Sequence, residues 1–229
     1  MFFVDTEFIQ TLTITFKLAT LTTLILVIIG VPIGYFLAYS KHKLKPILET
    51  LIAMPIVLPS TVIGFYFLIV FSPDTIIGGF FEKVLDLKLI FTFEGLVVAS
   101  VIYSLPFMVH PVQSGFLSVP KSLIEASLTL GKSRIETFFR VLIPNIKPSI
   151  LTGIVLSFAH TIGEFGVVLM VGGSIPGETK VASIAIYEEV EALNYDKAHL
   201  YSIILFIISF LILLSLFYIN KKIVRADKL

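Results

Sequence analysis

Five long apolar stretches dominate this chain, and short polar segments separate them. By hydropathy they run over about 12–39, 48–71, 93–116, 150–171 and 200–219. A helix needs roughly 20 apolar residues to cross a bilayer. Lipid offers no hydrogen-bond partners, so each stretch is expected to be a helix that satisfies its own backbone. The expected fold class is all-α: a polytopic membrane bundle of five helices.

Composition agrees. Of 229 residues, 56% are hydrophobic and 14% charged, and the mean hydropathy is +0.99. A soluble domain carries about 25% charged residues. Length allows one or two domains, and the even spacing of the apolar runs favours a single membrane domain over 1–229. A net charge of +1 argues against a nucleic-acid partner. There are no cysteines, and His42, His110, His160 and His199 are scattered without metal-ligand spacing. No metal or cofactor is expected. Asp5 and Glu7 stand where a secretory signal would be basic, so the N-terminal segment is expected to flank the first span rather than to be a signal peptide.

Lysine and arginine set the expected orientation. Five spans alternate the loops between two sides. One side holds Lys41, Lys43, Lys45, Lys121, Lys132, Arg134, Arg140, Lys147, Lys221, Lys222, Arg225 and Lys228. The other holds only Lys83, Lys88, Lys180 and Lys197, with Asp5, Glu7, Asp74, Glu82, Asp86, Glu178, Glu188, Glu189, Glu191 and Asp196. The basic side is expected to be cytoplasmic, with the N-terminus outside and the C-terminus inside. Lys17 falls within the first stretch, near its outer end, where its stem can carry the ammonium to the interface.

One cytoplasmic loop, about 121–147, is long and helix-forming. Gly131 divides it. Ser122 and Ser133 are each followed three residues later by glutamate, Glu125 and Glu136, which predicts two capping boxes. Leu128, Ile135, Phe138, Phe139 and Leu142 recur at helical spacing, and Pro144 is expected to stop the second helix. Two readings fit this amphipathic pattern equally. The stripe could rest on lipid or the bundle, or it could dock a cytoplasmic partner.

The segment resembles the cytoplasmic EAA loop of ABC-importer permeases, which reads E-A-A, three residues, Gly, nine residues, then I-x-L-P. Here the positions are Glu125-Ala126-Ser127, Gly131, and Val141-Leu142-Ile143-Pro144. Ser127, Val141 and Ile143 are mild departures. The resemblance implies that Glu125, Ala126, Gly131 and Pro144 belong to coupling helices that sit in a cleft of a separate ATP-binding subunit. Further matches cover most of the chain. GVPIGYFLA (30–38) and MPIVLPSTVIG (54–64) resemble oxyanion permeases, and SFAHTIGEFGVVLMVGGSIPGETKVASIAIYEEV (157–190) is similar to molybdate permeases. Sulfate permeases share the Gly-Glu-Phe-Gly core, and tungstate permeases are more distant. The resemblance therefore implies a molybdate importer first, with tungstate or sulfate as alternatives. It also implies two ATPase subunits, an extracytoplasmic substrate-binding protein and a second copy of this chain. Relatives often carry Arg where this chain has His160.

Within the spans, an oxyanion path needs hydroxyls, backbone N–H groups and helix N-termini. Pro55, Pro59 and Gly64 interrupt the second stretch, which would free donors near Ser60 and Thr61; a packing kink fits the same residues. Ser157, His160, Thr161 and Glu164 share one helical face of the fourth stretch. A charge at mid-membrane costs about 3 kcal/mol, so Glu164 should face the bundle interior or a cavity. Its carboxylate would repel an anion. It is expected to be a structural or gating group, hydrogen-bonded to His160, to Thr161 or to a partner subunit.

The turn Gly172-Gly173-Ser174-Ile175-Pro176-Gly177-Glu178-Thr179 imitates a P-loop, but Glu178 replaces the phosphate-binding lysine. ATP hydrolysis is therefore expected in another chain. Residues 181–192 are expected to form a short helix on the outer side. A membrane enzyme would need converging nucleophiles or ligands, and none converge. A gradient-driven carrier would show inverted repeats and paired intramembrane charges, and it would have no use for a coupling loop.

Overall fold

The computed structural model describes residues 6–226, with side-chain surroundings described for 6–215 and 217–221. Asp5 and Lys228 lie outside the described residues, as do the side chains of Lys222 and Arg225. The described chain is helical: α1 (Thr6–Tyr39), α2 (Lys45–Val57), α3 (Ser60–Val70), α4 (Ile76–Leu85), α5 (Phe93–Ser118), α6 (Lys121–Thr129), α7 (Arg134–Thr137), a π-helical turn (Phe138–Leu142), α8 (Ile143–Asn145), α9 (Lys147–Gly163), α10 (Gly166–Gly172), α11 (Ala182–Glu191) and α12 (Tyr195–Ala226).

Three helices, α1, α5 and α12, are long and apolar enough to cross a membrane. The count rises to five if each of two bent pairs forms one span. The second expected span is not straight. α2 and α3 meet at 114°. Leu58 is extended, as the residue before a proline prefers to be, and Pro59 is the N-cap of α3. The fourth expected span is also broken. α9 ends at Gly163, Glu164 is extended at ψ 136°, and α10 restarts at Gly166.

α1, α5 and α9 form the heart of the bundle. A Cβ at Gly30 would stand 2.6 Å from Met108 Cγ, and one at Gly34 would stand 2.7 Å from Val112 Cγ1. Advancing together, these contacts make α1 and α5 parallel. Gly153 meets the same Met108, whereas Gly115 meets Ser149, so α9 runs antiparallel. In lipid, helices associate by close packing and not by water exclusion, and small residues permit the approach. Met108, Val109, Val112 and Phe116 are fully buried there.

The bundle thus has a basic end, with the Lys41–Lys45 linker and α6–α8, and an acidic end, with α4, α11 and the starts of α1, α5 and α12. At the acidic end Phe8 stacks on Tyr201 with centroids 3.7 Å apart, and Ala182 N–H donates to Thr15 Oγ1 at 2.8 Å. α11 occupies nearly the whole of the expected 181–192 helix.

Candidate functional site

Two regions carry the expected site residues. At the basic end, the Ser133 capping box forms: Ser133 Oγ accepts Glu136 N–H at 3.1 Å, and Glu136 Oε2 accepts Ser133 N–H at 3.3 Å. That bond, and then Lys132 3.4 Å away, hold the exposed Glu136 carboxyl below its ordinary pKa. The Ser122 box does not form. α6 begins at Lys121 with Pro120 as N-cap and no side-chain cap bond. Ser122 is already inside the first turn, so its hydroxyl is past the capping position.

Gly131 turns the chain at φ +77°, a left-handed conformation that glycine adopts without steric cost. Ser127 and Thr137 hydroxyls then pin α6 to α7 at 2.9 Å. Pro144 lies in α8, one residue before the helix ends, after the π-turn; Ile146 then begins a 69° bend into α9. Glu125 and Ala126 are exposed on α6.

The apolar stripe divides. Phe138 and Leu142 turn inward, with Phe138 centred 5.0 Å from Tyr35. Ile135 stays 71% exposed, Phe139 63% and the neighbouring Leu130 81%. The bundle therefore uses only half of the stripe.

The second region lies at the helix breaks. Ser60 opens α3, and Thr61 beside it is exposed. Ser60 Oγ packs directly against Gly166, the first residue of α10. Two interrupted helices thus bring their N-termini together. Tyr103, at the middle of α5, lies near the Ser60 side chain. Ser104 Oγ lies 3.0 Å from His160 Nδ1 and 3.1 Å from Thr161 Oγ1. The His160 ring stacks on Phe107 at 4.0 Å and tilts against Tyr103 at 4.9 Å. Thr161 donates back to Ser157 O at 2.9 Å. Ser157 Oγ is buried without a hydrogen-bond partner among the described residues.

Glu164 is 5% exposed, as a costly intramembrane carboxyl should be. Its expected bond to His160 or Thr161 is not made. Its Oε1 accepts Val167 N–H at 3.2 Å, its Oε2 has no partner among the described residues, and its backbone oxygen accepts the Ser183 hydroxyl at 2.6 Å. The break after Gly163 is the reason: it carries Glu164 off the α9 face that holds His160, to the start of α10. There the carboxyl caps one amide that the break leaves open, Val167 N–H. Tyr103, Ser104 and Phe107 were not anticipated. The only signal was a tyrosine–serine pair at the centre of an apolar stretch.

At the acidic end the P-loop-like turn is structural. Gly173 closes α10 at φ +66°, and buried Thr179 donates to Gly172 O at 2.6 Å while accepting Ile175 N–H at 2.9 Å. Lys180 reaches Glu7 at 2.7 Å and Glu188 at 2.6 Å. Burial pulls the Lys180 ammonium down, but these two carboxylates outweigh it and the net shift is up. Burial pushes Glu188 up, and the bonds from Lys180 and Ser174 more than reverse it. Among the described residues, no group of three or more His, Asp or Glu side chains could hold a metal.

The family described as "Binding-protein-dependent transport system inner membrane component" matches over residues 30–226. The chain belongs to this family. It is a multi-pass inner-membrane transport component. It is 43% identical to the molybdenum transport system permease protein ModB of Azotobacter vinelandii, over 89% of this chain and 90% of that one. It is 33% identical to cysT of Chlorokybus atmophyticus, named as a sulfate transport permease, over 93% of this chain and 74% of that one. Among solved structures, the fold is that of the methionine transporter MetNI (TM-score 0.74, 16% identity, 94% and 95% of the two chains). A bacterial alginate ABC transporter is similar as well (TM-score 0.79, 17% identity, 95% and 80%). The all-α importer-permease fold expected from the sequence is the fold observed.

Proposed function

We propose that this single permease domain is the membrane-spanning subunit of an ATP-driven, binding-protein-dependent importer of a tetrahedral oxyanion, molybdate first. The observation that carries the substrate is the 43% identity to ModB, against 33% to cysT. Sulfate is the second reading, favoured by that cysT similarity, and tungstate is nearly isosteric with molybdate.

The basic end is cytoplasmic and the acidic end extracytoplasmic, a reading supported by the distribution of lysine and arginine. The N-terminus is then outside. The loop 121–147, with Glu125, Ala126, Gly131 and Pro144, docks a separate ATPase subunit, which performs the hydrolysis. The exposed Leu130, Ile135 and Phe139 support this, because the bundle leaves them uncovered. A second copy of the chain completes the path. α2 has no buried residue within one protomer, which supports its burial by that copy. Two loops then meet two ATPase subunits, and their closure rocks the halves apart toward the outer side. A binding protein docked at the acidic end releases the anion between them.

In this reading Ser60, Thr61, Tyr103, Ser157, His160 and Thr161 line or support the path near mid-membrane. They offer neutral hydroxyl and N–H donors, and the N-terminus of α3 adds its dipole. Glu164 holds the α9–α10 break and acts in gating.

ATP-dependent uptake in proteoliposomes tests the reading. The permease is reconstituted with its ATPase and binding protein, and molybdate, tungstate and sulfate are compared. Uptake of molybdate and tungstate without sulfate is the expected result. Sulfate uptake overturns the substrate, and uptake without ATP overturns the class.

A further inference from the structure

We propose that Lys17 and the groove beside it bind an anionic phospholipid. Lys17 is exposed on the outer flank of α1, in an open groove of about 760 Å³ that Ile208 of α12 also lines. Its ammonium stands 4.4 Å from the centre of the Phe93 ring. Among the described residues, no carboxylate lies within ion-pair distance of it.

Depth follows from Phe93, the first residue of α5. The 26 residues of α5 rise about 39 Å at 1.5 Å each, which exceeds the roughly 30 Å hydrocarbon core. The acidic end of α5, and Lys17 with it, therefore sits at headgroup level. From Lys17 toward the bundle centre the wall continues through Thr20, Leu21 and Leu24. That descent is about 10 Å, most of the ~15 Å that one leaflet contributes. A phosphate on the ammonium would place an acyl chain along this wall. The Phe93 ring holds the cation at the headgroup level and leaves its other sides open. A zwitterionic lipid fits the groove, but its own ammonium cancels most of the attraction, so the charge selects an anionic headgroup.

The intact transporter, purified from membranes, is exchanged into nanodiscs containing phosphatidylglycerol and phosphatidylcholine. Bound lipid is then counted by native mass spectrometry after release. Lys17→Gln is expected to lower phosphatidylglycerol retention about five-fold, the worth of one lysine beside an anionic surface, with phosphatidylcholine unchanged. Lys17→Arg is expected to restore retention. Equal retention by the wild type and Lys17→Gln overturns the proposal. So does a disulfide between two copies of Lys17→Cys, which would mean that a second protomer covers the groove.

Discussion

Ser104 Oγ stands 3.0 Å from Nδ1 of His160, although 56 residues separate the two in sequence. The same oxygen lies 3.1 Å from Thr161 Oγ1. One hydroxyl at the middle of α5 therefore fixes both polar side chains of the last turns of α9. This contact orients the imidazole through Nδ1.

Ser104→Ala should leave His160 Nδ1 unpaired, at a cost of about 1–3 kcal/mol. The expected outcome is a lower thermal midpoint in detergent. A double-mutant cycle of Ser104→Ala with His160→Phe should show the two losses to be non-additive. Strict additivity would mean that the pair contributes nothing.

Glu164 separates capping from charge. Glu164→Gln keeps an oxygen for Val167 N–H, so α10 should hold and the thermal midpoint should stay close to wild type. Glu164→Ala removes the cap at about 1 kcal/mol. In the gating role proposed above, Glu164→Gln lowers uptake per ATP hydrolysed while the protein still inserts. Full uptake with unchanged ATPase coupling would remove that role.

Gly131 isolates conformation from contact. A Cβ there would meet nothing within 4 Å, yet φ is +77°. Gly131→Val should be strained by about 1–2 kcal/mol and should displace α7 relative to α6. Gly131→Asn tolerates the left-handed region. Uptake lost in the valine variant and kept in the asparagine variant is the expected pattern; equal activity in both would exclude a conformational role for the turn.

Much of this arrangement was legible in the sequence. α1, α5 and α12 follow from uninterrupted hydropathy, and an interruption of the second stretch, though not its 114° angle, from Pro55, Pro59 and Gly64. The break at Glu164 was not legible, since no proline marks it and Gly163 and Gly166 alone are common in membrane helices. That break moved Glu164 away from the His160 face and undid its expected bond to His160 or Thr161. The Ser122 cap failed because Pro120 occupies the N-cap position first. Tyr103 and Ser104 escaped notice because a hydroxyl in a span usually bonds its own helix, as Thr11, Thr15 and Thr23 do here. Only the packing of α5 on α9 distinguishes Ser104 from them.

Lys180 ties α11 to the start of α1 through Glu188 and Glu7. Glu188 titrates below its ordinary value, so its contribution is complete above that value and disappears as pH falls through the lowered one. Lys180 titrates above its ordinary value, so its contribution is complete below that value and disappears as pH rises through the raised one. Thermal stability should therefore be flat across neutral pH and fall at both extremes. Lys180→Met should shrink the acid limb of that profile; an unchanged limb would mean that Glu188 gains nothing from the pair.

The two halves of the loop's apolar stripe should respond oppositely to substitution. Phe138 packs among Tyr35 and Phe116, and Leu142 is 2% exposed. Phe138→Ala and Leu142→Ala should each destabilise the permease by about 2–5 kcal/mol, because they open cavities under the bundle. Ile135 and Phe139 are 71% and 63% exposed, so Ile135→Glu and Phe139→Glu should leave its thermal midpoint nearly unchanged. If the ATPase subunit covers this edge, the same two variants should lose it on co-purification, since a carboxylate would be buried in an apolar contact without a partner. Retention of the ATPase by both glutamate variants would place the docking surface elsewhere on the loop, on the charged side with Lys132, Glu136 and Arg140.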